Sequence, residues 1–199
     1  MTTINPFLWF DKQAEEAANF YCSVFKDSKI TAVTRAAADN PSNKQGEVMT
    51  VTFQLNGQPL VALNGGPQFK FNESISFVIN CETSQDVDYY WSKLTDGGQP
   101  GRCGWLKDKY GLSWQVVPTA LGEVLGDKDP ARAKRAMEAM LKMSKLDLTL
   151  CPCQFKAAGD AVEIVILVGQ RQGLLARLDN GGREGDADRP PRRDPDLTP

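Results

Sequence analysis

Histidine is absent from the chain, and its absence removes much of the side-chain chemistry that enzymes use. The 199 residues contain no His. Ser-His-Asp and Cys-His nucleophile systems need an imidazole as their base, and many zinc and iron sites need one as a ligand. The sequence therefore excludes these catalytic systems and every metal site built on imidazole.

Five cysteines remain as candidate nucleophiles or ligands. An odd number in a chain without a recognisable secretory signal predicts reduced thiols rather than a disulfide framework. We interpret Cys22, Cys81 and Cys103 as small core residues. A catalytic thiolate at Cys103 would need a neighbouring cation, and Arg102 and Lys107 are the near candidates.

Aromatic and amide side chains on predicted strands are the other candidates for a binding site. Trp9, Trp105 and Trp114 could line a cleft for an apolar or aromatic ligand, although tryptophan in a small sheet also serves as core. Asn64 and Gln115 could orient a ligand in that cleft by hydrogen bonds, or they could satisfy neighbouring backbone groups. Both interpretations stay open at this point.

Charge and hydropathy limit the partners. Lys and Arg number 23 against 25 Asp and Glu, a net charge of −2. This balance argues against nonspecific nucleic-acid binding, which needs a basic surface. The sequence also lacks a signal-like start and any apolar run of roughly 18–20 residues that could span a bilayer. We expect a cytoplasmic protein that binds neither nucleic acid nor membrane.

The elements that must position these residues form two similar units. In the first unit, a strand at 4–10 precedes an amphipathic helix at 12–25, and three strands follow at 30–36, 47–55 and 59–64. The dipeptide Asn56-Gly57 predicts a tight hairpin between the last two strands, because it favours positive φ at both central positions.

The second unit repeats the strand and helix order. It comprises a strand at 74–81, a helix at 84–94, and strands at 102–108 and 112–117. Thr83 and Asp86 resemble a capping box at the helix start, and Asp108 is predicted to cap the turn at Tyr110-Gly111. The two helix starts lie roughly 72 residues apart, which indicates a duplicated βαβββ module. We therefore predict an α+β fold of paired βαβββ modules, whose curved mixed sheets form a cleft.

A further helix at 131–143 begins at Asp129-Pro130, a typical cap and first-turn pair. Its apolar stripe is interpreted as core or as a contact in a homodimer and comprises Ala133, Met137, Met140 and Leu141. Two four-stranded units with too little chain to cover both faces of their sheets favour a homodimer that shares its clefts.

The composition changes near residue 150. Of the 17 aromatic side chains in the sequence, Phe155 alone lies beyond that point. We assign residues 3–148 to the domain, 149–179 to an extension and 180–199 to a disordered tail, since the tail is poor in apolar residues. A strand is predicted at 161–169, which could cover a sheet edge. Cys151-Pro152-Cys153 lacks the second pair or histidine typical of a metal or redox site.

Three segments carry a family resemblance: FLWFDKQAEEAANFY at the start, LNGGPQF at 63–69 and CGWLKDKYGLSWQVVP at 103–118. Over residues 3–148 the chain resembles the PhnB-like branch of the vicinal oxygen chelate superfamily, and in particular proteins labelled 3-demethylubiquinone-9 3-methyltransferase. Glyoxalase I, bleomycin-resistance proteins and extradiol dioxygenases are relatives of this branch. The resemblance implies paired βαβββ modules and a dimer.

In metal-dependent members of this superfamily, the resemblance implies His or Glu ligands on the first and last strands of each unit. The pattern D-x-x-G-x-x-x-E falls on Asp108, Gly111 and Gln115, so that an amide replaces the carboxylate. The other implied positions hold neutral or apolar side chains: Leu8, Trp9, Asn64 and Ser76. Such a set binds a first-row metal poorly, and we expect no metal.

The methyltransferase label implies S-adenosylmethionine, usually held by a glycine-rich loop after a strand. The nearest segment, residues 98–101, follows a helix and contains a proline, so we interpret it as a structural loop and expect no cofactor. Three functions stay open. The first is a metal-free dimer that binds a small apolar or aromatic molecule. The second is an enzyme, which would be either the methyltransferase itself or a lyase or isomerase that uses Gln115 with a partner-supplied ligand. The third is an antibiotic-sequestering protein.

Overall fold

The structure, a computed structural model, describes residue 2 and residues 4–147. The predictions for the extension at 149–179, the strand at 161–169, the tail at 180–199 and the cysteine pair at Cys151 and Cys153 lie outside the described residues.

The first module has the predicted βαβββ order. Its elements are β1 (Phe7–Phe10), α1 (Ala14–Val24), β2 (Lys29–Arg35), β3 (Val48–Leu55) and β4 (Gln58–Asn64). They form sheet 1 in the order β1-β4-β3-β2, with β1 parallel to β4 and the other neighbours antiparallel. Asn56 and Gly57 have φ values of 47° and 80°, which confirms the predicted hairpin turn.

The second module repeats this order. Its elements are β5 (Phe77–Cys81), α2 (Ser84–Thr95), β6 (Gln99–Pro100), β7 (Trp105–Lys107) and β8 (Ser113–Pro118). They form sheet 2 in the order β5-β8-β7-β6, and β5 and β8 are the parallel pair. Thr83 and Asp86 form the predicted capping box of α2. The α+β fold of paired βαβββ modules is confirmed.

Two predictions around β6 and β7 were wrong. The sequence predicts a loop at 98–101, but Gln99 and Pro100 pair antiparallel with β7. They lie on the edge strand, where a proline that cannot donate to the ladder is tolerated. The predicted strand at 102–108 begins only at Trp105. Cys103 and Gly104 have φ values of 55° and 82°, and this left-handed turn interrupts any extended run.

Two helices follow the second module in the described residues: α3 (Ala120–Leu125), which is not among the predicted elements, and α4 (Pro130–Met140). The Asp129 side chain accepts a hydrogen bond from the Ala131 amide and caps α4 as predicted. The helix ends three residues earlier than predicted. None of the helices in the described part of the chain has the length and apolar character needed to cross a membrane.

A single hydrophobic core joins the two modules. The face of sheet 1 that α1 covers and the face of sheet 2 that α2 covers both contribute to it. Trp114 of β8 lies at the junction, where its ring centroid is 5.5 Å from that of Tyr21 in α1 and 5.3 Å from that of Phe25, which directly follows α1. The two modules are therefore packed through their helix-covered faces, and the opposite face of each sheet points away from this core.

Candidate functional site

Each sheet has an open face, opposite its helix. On sheet 1 this open face consists of neighbouring residues from three strands: Phe7 and Trp9, Val61 and Leu63, and Thr50 and Thr52. Phe7 is 59% exposed, although it is a large apolar residue on a strand. The open face of sheet 1 is thus an apolar surface with threonine hydroxyls along one side, and helix α1 does not cover it.

Trp9 is fixed on this face by the glycine pair that follows β4. Its indole Nε1 donates a hydrogen bond of 2.8 Å to the carbonyl of Gly66. A Cβ at Gly65 would lie 2.3 Å from Cε2 of the indole, so that this position accepts only glycine without a shift of the ring. Phe69 packs edge-on against the ring at 4.9 Å. Residues of the LNGGPQF segment therefore fix the position of the Trp9 ring.

On sheet 2, three of the predicted site residues come together. Trp105 and Gln115 are direct partners across β7 and β8, and Gln115 Nε2 donates a hydrogen bond of 2.8 Å to Ser76 Oγ. Val78 lies beside Gln115 in register and is 51% exposed. The open face of sheet 2 thus presents an amide and a hydroxyl between an indole and an aliphatic side chain.

The charges on sheet 2 lie at its margin. Lys107, on the same face as Trp105, forms an ion pair of 2.5 Å with Glu73, and this hydrogen bond lowers the pKa of Glu73. Ser113 lies opposite Lys107, is almost fully buried, and its hydroxyl has no hydrogen-bond partner among the described residues. The centre of this open face therefore carries neutral polar groups.

Two of the six predicted site residues, Asn64 and Trp114, do not lie on either open face. The Asn64 amide is used structurally: Oδ1 accepts from the first amide of α1, at Ala14, and Nδ2 donates to the carbonyl of Val48. Trp114 is 3% exposed and lies in the core. Strand alternation sends these side chains to the covered face, opposite Trp9 and Gln115.

Asp108 has a larger role than the predicted turn cap. Its Oδ1 accepts from the amides of Tyr110 and Leu112, which confirms the cap, but Oδ2 also accepts from the Tyr21 hydroxyl and from Trp114 Nε1, each at 2.8 Å. Burial raises the pKa of Asp108, and the hydrogen bonds partly oppose that shift. This second set of partners gave no signal in the sequence, because Tyr21 lies 87 residues away.

Cys103 occupies the left-handed turn before β7. Its thiol lies 3.6 Å from the carbonyl of Met140, and the turn amides of Cys103 and Gly104 donate to Met143 and Ser144. These contacts fit a residue that anchors the segment after α4 rather than a nucleophile.

The open faces do not fit a divalent first-row metal. The polar side chains nearest their centres are those of Gln115, Ser76, Thr50 and Thr52, none of which is a carboxylate, thiolate or imidazole. Within residues 4–147, no cluster of three or more Cys, Asp or Glu side chains could hold a metal ion.

S-adenosylmethionine does not fit either. Among the described strands, each sheet has one parallel pair, which is unlike the parallel sheet that usually holds this cofactor. A Cβ at Gly98 or Gly101 would clash with the backbone of Lys107 or Trp105, so these glycines allow β6 and β7 to approach each other.

Comparisons with known proteins agree with this architecture. A family model described as 3-demethylubiquinone-9 3-methyltransferase matches residues 2–117. The PhnB protein from Bacillus cereus is 35% identical, covering 59% of this chain and 100% of its own, with a TM-score of 0.54. Protein PA1353 from Pseudomonas aeruginosa is 18% identical, covering 59% of this chain and 98% of its own, with a TM-score of 0.50, and this likeness concerns the fold alone.

A fosfomycin resistance protein, FosX, from Listeria monocytogenes matches at 15% identity and a TM-score of 0.42, covering 62% of this chain and 94% of its own. No curated protein matches the chain. The family model spans more than half of the chain, and the Bacillus cereus protein is matched over its full length. The chain therefore belongs to the 3-demethylubiquinone-9 3-methyltransferase family, as its resemblance to PhnB-like proteins predicts.

Proposed function

We propose that this chain binds a small apolar or aromatic molecule on the open faces of its sheets and does so without a transition metal. The observation that carries the proposal is the hydrogen bond from Gln115 to Ser76 beside Trp105, on a sheet face that no helix within residues 4–147 covers. A neutral polar pair framed by apolar side chains is typical of sites that bind apolar molecules with a few orienting hydrogen bonds.

The arrangement of Gln115 defines the ligand chemistry further. Its Nε2 is engaged by Ser76, which leaves Oε1 as the hydrogen-bond acceptor of the amide. A molecule with an apolar ring and one hydroxyl or N–H group would stack against Trp105 and donate to Oε1. A multiply charged ligand would lose hydration on this face without a charged partner at its centre, and such a loss is costly.

We propose that a second copy of the chain completes the site. Phe7 on sheet 1 and Val78 on sheet 2 each leave more than half of their surface exposed, and both lie on open faces that carry candidate ligand contacts. A twofold pair of chains that apposes these faces would bury both surfaces and enclose the ligand from two sides.

The test is a search for the ligand by mass spectrometry. The full chain is purified under native conditions, and small molecules are extracted and compared among the wild type, Gln115→Leu, Trp105→Ala and the control Gln85→Leu. Gln85 lies on the exposed surface of α2, so its replacement makes the same chemical change away from the open faces.

A bound aromatic molecule in the wild type and the control, reduced at least tenfold in Gln115→Leu and Trp105→Ala, is the expected result. In parallel, a panel of substituted phenols is titrated while the NMR signals of the Trp105 indole and the Gln115 amide are followed. If no molecule co-purifies and no phenol shifts these signals, the proposal is wrong.

A further inference from the structure

A separate cavity of about 260 Å³ lies where α1 begins, at the edge of sheet 1. Its lining residues come from the first turn of α1 and the segment just before it, the loop before β3 and the ends of two strands: Lys12, Glu15, Asn43, Glu47, Val48 and Asn64. Neither Trp9 nor any of the sheet 2 residues above belongs to it. The cavity is large enough for roughly eight water-sized groups.

One of the lining residues, Asn43, has a buried side-chain acceptor without a partner. Asn43 is 4% exposed, and its Oδ1 has no hydrogen-bond partner in the described part of the chain. The orientation of this amide is fixed, because the opposite atom lies 2.8 Å from the carbonyl oxygen of Asn64 and must therefore be the NH₂ group. A rotated amide would bring two acceptors together. The atom that lacks a partner is an oxygen, and its missing partner must be a donor.

The nearby helix start does not favour an anion. The first amide of α1, at Ala14, is already bonded to Asn64 Oδ1. Asn64 Nδ2 is bonded as well, to the Val48 carbonyl, so both ends of this amide are used. The usual preference of a helix N-terminus for negative charge is thereby weakened at this cavity.

The charges of the lining favour a cation. Lys12 Nζ lies 3.1 Å from Glu47 Oε2 and also donates to the carbonyl of Ser42, so this lysine and glutamate balance each other. Glu15 is half-buried and forms no ion pair with any residue that the structure describes. One carboxylate of the lining is therefore uncompensated, beside a buried acceptor that needs a donor.

We propose that this cavity binds a small primary ammonium ion with a short alkyl stem. The ammonium group supplies N–H donors to Asn43 Oδ1 and a positive charge to Glu15, while Val48 provides an apolar contact for the stem. A hard metal ion is less suitable, because Ca²⁺ takes six to eight oxygen ligands. Among the lining residues, the oxygen of Asn64 already accepts from the first amide of α1, which leaves the side-chain oxygens of Asn43, Glu15 and Glu47.

The probe is n-butylammonium chloride, titrated into the full chain by isothermal calorimetry and by NMR of the Asn43 side-chain amide. Tetramethylammonium chloride at equal concentration is the comparison ion, because it has the same charge and no N–H donor. We expect saturable binding of butylammonium with a shift of the Asn43 signals, and no saturable binding of tetramethylammonium.

Three substitutions test the assignment of residues. Glu15→Gln removes the uncompensated charge and is expected to raise Kd about threefold to fivefold. Asn43→Leu removes the acceptor and is expected to raise Kd at least tenfold, although it also deletes a bond to Asn64. Val48→Met narrows the cavity without changing a polar group and should weaken binding while leaving the fold intact. The control Glu138→Gln, on the exposed surface of α4, makes the same charge change as Glu15→Gln and should leave Kd unchanged.

Several results would overturn the proposal. Absence of saturable butylammonium binding would mean that water alone satisfies Asn43. Equal binding of tetramethylammonium would mean that charge without hydrogen bonding suffices. Displacement of butylammonium by Mg²⁺ or Ca²⁺ at micromolar concentration would identify a metal site instead, and retained affinity in all three variants would place the binding elsewhere.

Discussion

The hydroxyl of Tyr21 donates a hydrogen bond of 2.8 Å to Oδ2 of Asp108, and this contact joins α1 of the first module to the turn before β8 of the second. Both residues are buried, and the indole of Trp114 donates to the same oxygen. A carboxylate with four donors in a hydrophobic core is tolerated because each of its oxygens is satisfied. The two modules therefore share a polar connection inside their common core.

Replacing Tyr21 by Phe should destabilise the protein measurably. The substitution keeps the ring packing and removes one hydrogen bond to a buried charged group, which corresponds to about 1.5–3 kcal/mol in the free energy of unfolding. Urea denaturation followed by circular dichroism measures the change. Tyr110→Phe is the matched control, because it removes the exposed hydrogen bond to Glu16 and should cost less than about 0.5 kcal/mol. Equal losses in the two variants would contradict the role of Asp108 as the connection.

The titration of Asp108 should depend on Tyr21. Burial holds the pKa of Asp108 above its ordinary value, so the folded chain binds this proton more tightly than the unfolded chain. The contribution of this group to the free energy of unfolding is therefore fully present below the ordinary pKa and decreases as the pH rises through the folded pKa. Tyr21→Phe removes a bond that favours the carboxylate and should raise the pKa further.

Carbon-13 NMR of the carboxyl signals measures both pKa values. Asp39 provides the internal control, because its pKa is lowered by hydrogen bonds from Lys44 and Gln45 and should be the same in both proteins. A wild-type midpoint at or below that of an ordinary aspartate, or a midpoint unaffected by Tyr21→Phe, would contradict the prediction.

Substituting Gly65 by Ala should displace Trp9. The added Cβ would lie 2.3 Å from the indole, so the ring must move and its hydrogen bond to Gly66 must lengthen. We expect a loss of about 1–3 kcal/mol in stability and a changed near-ultraviolet circular dichroism spectrum. The control is Gly122→Ala in α3, where the new Cβ meets no atom within 4 Å and should leave stability unchanged or slightly higher. An unaltered spectrum in Gly65→Ala would mean that the absence of a Cβ at this position does not determine where the Trp9 ring lies.

The purified protein should contain no stoichiometric zinc, nickel, iron or manganese. The position where metal-dependent relatives carry a glutamate holds Gln115, and its amide is bonded to Ser76. Elemental analysis of protein prepared without chelators measures this directly. About one metal per chain, together with a fall in Tm on chelation, would show that this expectation is wrong.

The full chain should sediment as a dimer that the open faces stabilise. Phe7→Glu places a charge on the open face of sheet 1, where burial against a second copy would be costly, and should shift the equilibrium toward the 21.9 kDa monomer. The comparison variant Met140→Asp/Leu141→Asp changes the last residue of α4 and the residue that follows it, Leu141, which is also exposed. Dissociation in the second variant alone would place the interface on α4, and a concentration-independent wild-type monomer would rule out the dimer.

The sequence by itself determined the family and the order of most elements, although β6 and α3 were not among the predicted ones. Asn56-Gly57 specifies its turn through φ values available to few residues, and Thr83 with Asp86 caps α2 within four residues. Such signals are local, so they do not depend on what packs nearby. A strand followed by a helix occurs twice, with the two helix starts roughly 72 residues apart, and this recurrence indicates duplicated modules.

Only the tertiary structure decided which side of each strand is covered. In β8 the alternating sets Trp114-Val116 and Gln115-Val117 both contain apolar residues, so the pattern alone could not assign Trp114 to the core and Gln115 to the open face. Asn64 likewise lies on the covered face of sheet 1, where its side chain accepts a hydrogen bond from the first amide of α1. Contacts between residues far apart in the chain depend on how complete modules pack, and the bond from Tyr21 to Asp108 forms only once both modules share one core.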